Sequence, residues 1–255
     1  MQSAALLQSP AVPDAFSYVA TGTQFLPVSG HVTDRLFSTY RASARSLLPL
    51  VPAPFSLDVH RGFGFVSVCA VEILGMGIVG APRFLRFDSR EFLYRIAVRL
   101  GGQSTFLTLR SDVSSRALAV LGGSFSHYRP HLGNVRLARE GSVVRLDATT
   151  RDGSGDAALE VDTAAPASGH GSVFTDHEEA TEFLLGMKFS ADARAGRARV
   201  QPIEHGPWHP RFVDATRARF AFLERLERDL GTSLVYDSTL AARDIPQTWK
   251  AAYWA

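Results

Sequence analysis

The chain has 255 residues, 45% hydrophobic and 20% charged, and its 27 basic and 25 acidic side chains leave a net charge of +2. That composition supplies a sizeable globular core, and without a basic stripe interleaved with aromatics it argues against a nucleic-acid binder. No run reaches the ~18 apolar residues of a membrane span, and a single cysteine, Cys69, excludes an internal disulfide.

The N-terminus MQSAALLQSPAVPDAF lacks the basic start and apolar stretch of a secretion signal, so a cytoplasmic protein is expected. Residues 1–22 are small, polar and proline-punctuated and read as a loose arm; 23–255 read as one domain. VTDRLFSTYRASARSLLPLVP spaces Leu36, Tyr40, Ala44, Leu47 and Leu48 as a helix would, ended by Pro49 and Pro52. Residues 62–80, GFGFVSVCAVEILGMGIVG, read as a long strand with glycine bends. Within it Cys69 reads as a buried, inert thiol.

EFLYRIAVRL (91–100) and STFLTLRSDV (104–113) form a predicted hairpin turning at Gly101-Gly102. SSRALAVLGG (114–123) reads as a short serine-capped helix. GNVRLARE (133–140), SVVRLDATT (142–150) and ALEVDT (158–163) continue as a meander, and 164–172 as a loop. In TDHEEATEFLLGM (175–187), Thr175 and Glu178 have capping-box spacing, which predicts a helix. RARVQPIEHGPW (197–208) is strand then turn. ATRARFAFLERLERDLG (215–231) starts as a strand and acquires helical charge spacing; SLVYDSTLAARDI (233–245) is a last strand. The fold class is α+β, mainly antiparallel strands with a few helices laid over them.

From Arg90 to Leu137, REFLYRIAVRLGGQSTFLTLRSDVSSRALAVLGGSFSHYRPHLGNVRL resembles the core of the acetoacetate decarboxylase-like superfamily. YRIAVRL and SDVSSRALAVLGG, with an opening segment at 39–73, are most similar to its domain-of-unknown-function family 2071 (DUF2071). The resemblance covers roughly residues 25 to 245. It implies a curved antiparallel sheet closed into a cone-like β-barrel around a cavity. In the true decarboxylases the turn matching HYRPHLGNVRL carries adjacent lysines. One forms a Schiff base with the β-keto acid, its pKa lowered by its neighbour and by desolvation, the known case of such tuning. Here the matching positions are Pro130 and His131, which argues against Schiff-base decarboxylation. Lysine occurs elsewhere only at Lys188, on a segment that could border the cavity, and at Lys250, in an aromatic-rich tail that reads as solvent-exposed or a cation–π partner.

The resemblance sets Glu91 near the reactive centre, where desolvation would raise its pKa and suit it to acid or base work; the plainer reading pairs it with Arg90 or Arg95. Arg95, beside Tyr94, interrupts an apolar strand and points either to solvent or into the cavity, where it could hold a carboxylate bidentately. Arg110 and Asp112 add polar groups after a strand, although Asp112 with Ser114 also suits a tight turn and helix cap. His127 and His131 flank the turn, and His131 could act as acid or base. Pro130 denies the two histidines the helical spacing of a zinc pair, so no metal or other cofactor is expected.

The expected ligand is a small carboxylate or keto acid, held by Tyr94, Arg95, Arg110, Asp112 and His127, with Glu91 and His131 as catalytic groups. Turnover, if present, would be non-covalent acid/base chemistry of a lyase or dehydratase type. The other reading is a non-catalytic binding or sensing protein that kept the cavity and lost the lysine. Neither nucleic acid nor membrane is an expected partner; a homo-oligomer is, because barrels of this superfamily often assemble.

Overall fold

The long apolar runs become long strands. The structure, a computed structural model, describes residues 26–119, 130–165, 167–168, 171–185, 189–194, 196–207 and 209–255; the expected arm lies outside them. In chain order the strands are β1 (Val28–Ser43), β2 (Ser56–Leu57), β3 (Phe63–Ile78), β4 (Phe87–Leu100), β5 (Gln103–Val113) and β6 (His131–Leu132). There follow β7 (Asn134–Glu140), β8 (Val143–Thr149), β9 (Ala157–Asp162), β10 (Phe189–Arg194) and β11 (Arg197–His205). The chain ends with β12 (Arg211–Val213), β13 (Ala215–Phe220), β14 (Val235–Trp249) and β15 (Tyr253–Trp254).

The helix expected from Leu36 onward is instead strand β1 up to Ser43; Ala44–Leu47 is helical, capped by the Ser43 hydroxyl, and Leu48–Leu50 continues it as a 3-10 turn. Spacings of four are multiples of two, so Leu36 and Tyr40 share a strand face as readily as a helix face. Phe37, on the other face, is equally buried, and burial on both faces hides the alternation that marks a half-exposed strand.

Seven strands close a ring, β14-β1-β3-β4-β5-β10-β11, with β11 returning to β14 through Ile203↔Trp249, Glu204↔Thr248 and His205↔Gln247. Every pairing in the ring is antiparallel except β5 with β10. The expected hairpin forms, and Gly101 and Gly102 take φ of 56° and 82° at its turn, the left-handed region that a Cβ disfavours. A second sheet, β13-β9-β8-β7, lies against the outer face of the ring. The helix Ala221–Leu230 buries Phe222, Leu223 and Leu226 in the same layer, at ~1.5–3 kcal/mol for each such side chain.

Strand alternation then sorts β4. Phe92, Tyr94, Ile96 and Val98 enter the layer between the sheets. Glu91, Leu93, Arg95 and Ala97 face the interior of the ring. Two apolar clusters bracket that interior along the strands. One gathers Phe37, Phe65 and Phe106 with Phe174, Ala180 and Leu184 from the helix His177–Leu185 and its approach. The other gathers Val71, Leu93 and Val113 with Leu118. Residues 116–119 are helical, with the Ser115 hydroxyl accepting the Leu118 amide at 3.2 Å. The helix His177–Leu185 is capped one residue later than its spacing suggested: Asp176 accepts the Glu179 amide at 2.8 Å, and the Glu179 carboxylate returns to the Thr175 amide at 2.6 Å. Among the described residues no helix is long and apolar enough to cross a membrane.

Candidate functional site: the interior of the ring

Between the two clusters lies a cavity in two lobes of about 40 and about 70 Å³, which share Arg35, Cys69, Arg95, Ser190 and Gln247. Glu91 and Gln201 line the first lobe, and Phe106 and His205 the second. Each lobe has room for only one or two waters at ~30 Å³ apiece, which limits an occupant of both to a few heavy atoms.

Register explains the grouping. Arg35 stands opposite Val71, which stands opposite Glu91, so the three share one transverse row and one face. Arg95 lies two pleats along β4 from Glu91, on the same side, with Cys69 and Leu93 in the row between. Arg35 donates to the Gln247 side-chain oxygen at 2.5 Å. Its pKa falls below the usual guanidinium value chiefly through burial; Cys69 and Glu91 oppose the fall and the Arg95 charge adds to it. The Arg95 guanidinium sits 6.0 Å from the Phe106 ring centroid.

Two residues beyond Ser190 and Gln201, on the same face of β10 and β11, Asp192 and Arg199 stand directly opposite one another. Arg199 has 0% exposure, and none of its three guanidinium nitrogens makes a hydrogen bond. Burial lowers its pKa and the Asp192 charge opposes that. Among the described residues the interior thus holds three guanidiniums, Arg35, Arg95 and Arg199, against two carboxylates, Glu91 and Asp192.

The remaining sequence candidates stand elsewhere. Tyr94, Arg110 and Asp112 lie on the opposite face of β4 and β5, in the layer between the sheets, because Tyr94 pairs with Arg110 and Phe92 with Asp112. The structure thereby places them across the sheet from Arg95. Arg110 clasps Asp112 with Nε–Oδ2 2.6 Å and Nη2–Oδ1 2.8 Å and donates to Ser154 at 2.8 Å. Burial would lower the Arg110 pKa, but the Asp112 hydrogen bond and charge outweigh it and hold the group above its usual value. Burial, with the Asp112 charge, also holds the Tyr94 phenol well above its usual range. Asp112 is thus a strand residue in an ion pair rather than a turn or cap, and the Ser114 hydroxyl accepts the Arg90 amide at 3.0 Å.

His131 is exposed on β6, its Nδ1 3.2 Å from the Ser111 carbonyl oxygen. His127 lies outside the described residues, as does Lys188. Lys250 is ion-paired with Glu204 at 2.6 Å, and among the described residues no lysine lines the cavity. Of the two partners expected for Glu91, Arg90 pairs instead with Glu72 at 2.7 Å, while Arg95 lines the same lobe as Glu91. Among the described residues no group of three or more His, Cys, Asp or Glu is placed to hold a metal.

Sequence reasoning missed Arg35, hidden in the segment read as a helix, and the cavity-facing side of Cys69. Alternation of Arg35, Phe37 and Thr39 was the signal available for the first. Cys69 also supplies a probe. Its alkylation by iodoacetamide is expected to be slow and to slow about tenfold further when a cavity ligand is present at ten times its Kd. Intact-mass spectrometry over time reads the rate, and unchanged labelling at saturation would place the ligand elsewhere.

The fold has solved counterparts at low identity. An acetoacetate decarboxylase from Legionella pneumophila superposes with a TM-score of 0.60 at 12% identity, covering 91% of this chain and 88% of that one. An acetoacetate decarboxylase-like enzyme from Sphingomonas wittichii RW1 gives 0.59 at 14%, covering 92% and 94%. The enduracididine biosynthesis enzyme MppR complexed with pyruvate gives 0.57 at 13%, covering 89% of each chain. No curated protein matches the sequence. The architecture is therefore acetoacetate decarboxylase-like, and, with residues 31–241 matching the family described as an uncharacterized conserved protein, the chain belongs to DUF2071.

Proposed function

We propose that the interior of the ring binds a small monoanionic carboxylate, a 2-oxo or 3-oxo acid, and that Glu91 moves a proton on it without covalent attachment. The observation that carries this reading is the charge inside the ring: among the described residues three guanidiniums stand with two carboxylates, an excess of one positive charge that an anion would neutralise. The small volume of the two lobes supports a ligand of a few heavy atoms, and MppR, of the same fold, has been seen with pyruvate.

The ligand carboxylate would take bidentate hydrogen bonds from Arg35, held in place by Gln247. With its carbonyl oxygen beside Arg95, a carboxylate at Glu91 would accept a proton from the carbon next to the carbonyl, and the guanidinium would stabilise the resulting enolate. Returning the proton to the carbon completes a hydrogen exchange and placing it on the enolate oxygen an enolisation; handing it from Glu91 to a hydroxyl that leaves the next carbon as water completes a dehydration. His131 has no part in this scheme because it stands exposed on β6. A cytoplasmic setting, where such acids are plentiful and a buried thiol stays reduced, accords with it.

Proton NMR of pyruvate in deuterated buffer tests the chemistry. Exchange of the methyl protons is expected with the native chain and is expected to be lost in Glu91→Gln. Exchange at the native rate in that variant would remove Glu91 from the mechanism, and binding with no exchange would leave a receptor for the acid.

A further inference from the structure

Beside the ring, and separate from its interior, a groove of about 640 Å³ runs between the start of the helix His177–Leu185, β12 with Asp214, and the first residues of β14. Its floor is aromatic, from Phe174, Phe212 and Tyr236, and among the described residues no arginine or lysine lines it. Of its carboxylates, Asp237 is already neutralised: it pairs with Arg41 at 2.5 Å and accepts from Ser172 at 2.9 Å and from the Val173 amide at 3.1 Å. Among the described residues Asp176, Glu178 and Asp214 make no ion pair. Asp214 accepts the Ser168 amide through one oxygen at 2.7 Å, which leaves its other oxygen for a ligand. Asp176 likewise uses one oxygen to cap the helix. On the groove wall Ser238 is only 7% exposed, and its hydroxyl has no hydrogen-bond partner. A buried hydroxyl left unsatisfied costs about 1–3 kcal/mol, so a donor or acceptor arriving in the groove would recover it.

We propose that this groove binds a small organic cation, an ammonium or guanidinium on an apolar body. The cation donates to Asp214 and Glu178, the Ser238 hydroxyl completes its hydrogen bonding, and the apolar body lies against the Phe212 and Tyr236 side chains. His177 stacks on Phe212 with centroids 4.0 Å apart and covers one face of that ring. A divalent metal suits the groove less well, since aromatic rings occupy the space where further oxygen ligands would have to converge.

Calorimetric titration of the full chain with benzylamine, cationic at neutral pH, and with benzyl alcohol as its uncharged counterpart tests the assignment. Benzylamine is expected to bind about tenfold or more tightly than the alcohol, and the Asp214→Asn, Glu178→Gln double variant to lose that advantage. Both positions are at least partly exposed, so an unchanged melting temperature shows that the variant is folded. Equal affinity for the two probes, undiminished benzylamine binding by the folded variant, or no heat with either probe overturns the proposal.

Discussion

Replacing Arg35 by methionine is expected to weaken binding of pyruvate or another small oxo acid by ~2–5 kcal/mol, the cost of removing one partner of a desolvated charge pair. In Kd that is ~30-fold or more. The apo protein is expected to keep its melting temperature or gain a little. Burial already pushes the Arg35 pKa down, which means that the fold holds this charge at a cost, and an apolar side chain of similar length removes that cost. Stability and binding therefore move in different directions, and paired melting and titration experiments separate a ligand contact from a strut. A variant that melts several degrees lower yet binds as the native chain does would make Arg35 structural.

Asp112→Asn is expected to do the opposite, lowering stability by ~3–5 kcal/mol because it leaves the Arg110 charge buried and uncompensated. For a chain of this size that is a fall of ~6–20 °C in Tm. Side-chain exposure in the pair is 8% for Arg110 and 0% for Asp112, so solvent cannot take over the role of the lost partner. Gly155→Ala is expected to harm the same spot from outside, since its Cβ would stand 2.8 Å from Asp112 Oδ1, within reach of Arg110, and 2.8 Å from Thr150 Cγ2. In both variants the folded fraction should bind the interior ligand with nearly native affinity. Loss of binding at unchanged stability would return Arg110 and Asp112 to the site.

These two residues show where sequence and structure part. The hairpin of β4 and β5 and the meander of β7 to β9 were legible because paired or single glycines mark their turns and β-rich runs separate them. Strand β1 was not, because Leu36, Tyr40 and Ala44 fit both periods and Phe37 is buried on the other side. The closure of the ring was beyond periodicity as well. Contacts such as β5 with β10 and β11 with β14 join segments far apart in sequence, and only the family resemblance implied them. For the site, alternation alone parts Tyr94 from Arg95 but does not say which face encloses a cavity. Both faces of β4 are buried, so polarity gave no guide to Arg110 lying across the sheet from Arg95. Glu91 and Arg95 came from chemistry and resemblance together. Arg199 and Asp192 gave no sequence signal, since a charged pair across an ordinary hairpin reads as a solvated edge.

The most direct measurement is a crystal structure of the chain soaked with pyruvate. The expected density places the carboxylate within hydrogen-bonding distance of Arg35, the carbonyl oxygen toward Arg95, and no covalent link to any side chain. Density continuous with the Lys188 amine, or an occupied ligand outside the ring with the interior empty, would contradict a non-covalent carboxylate site.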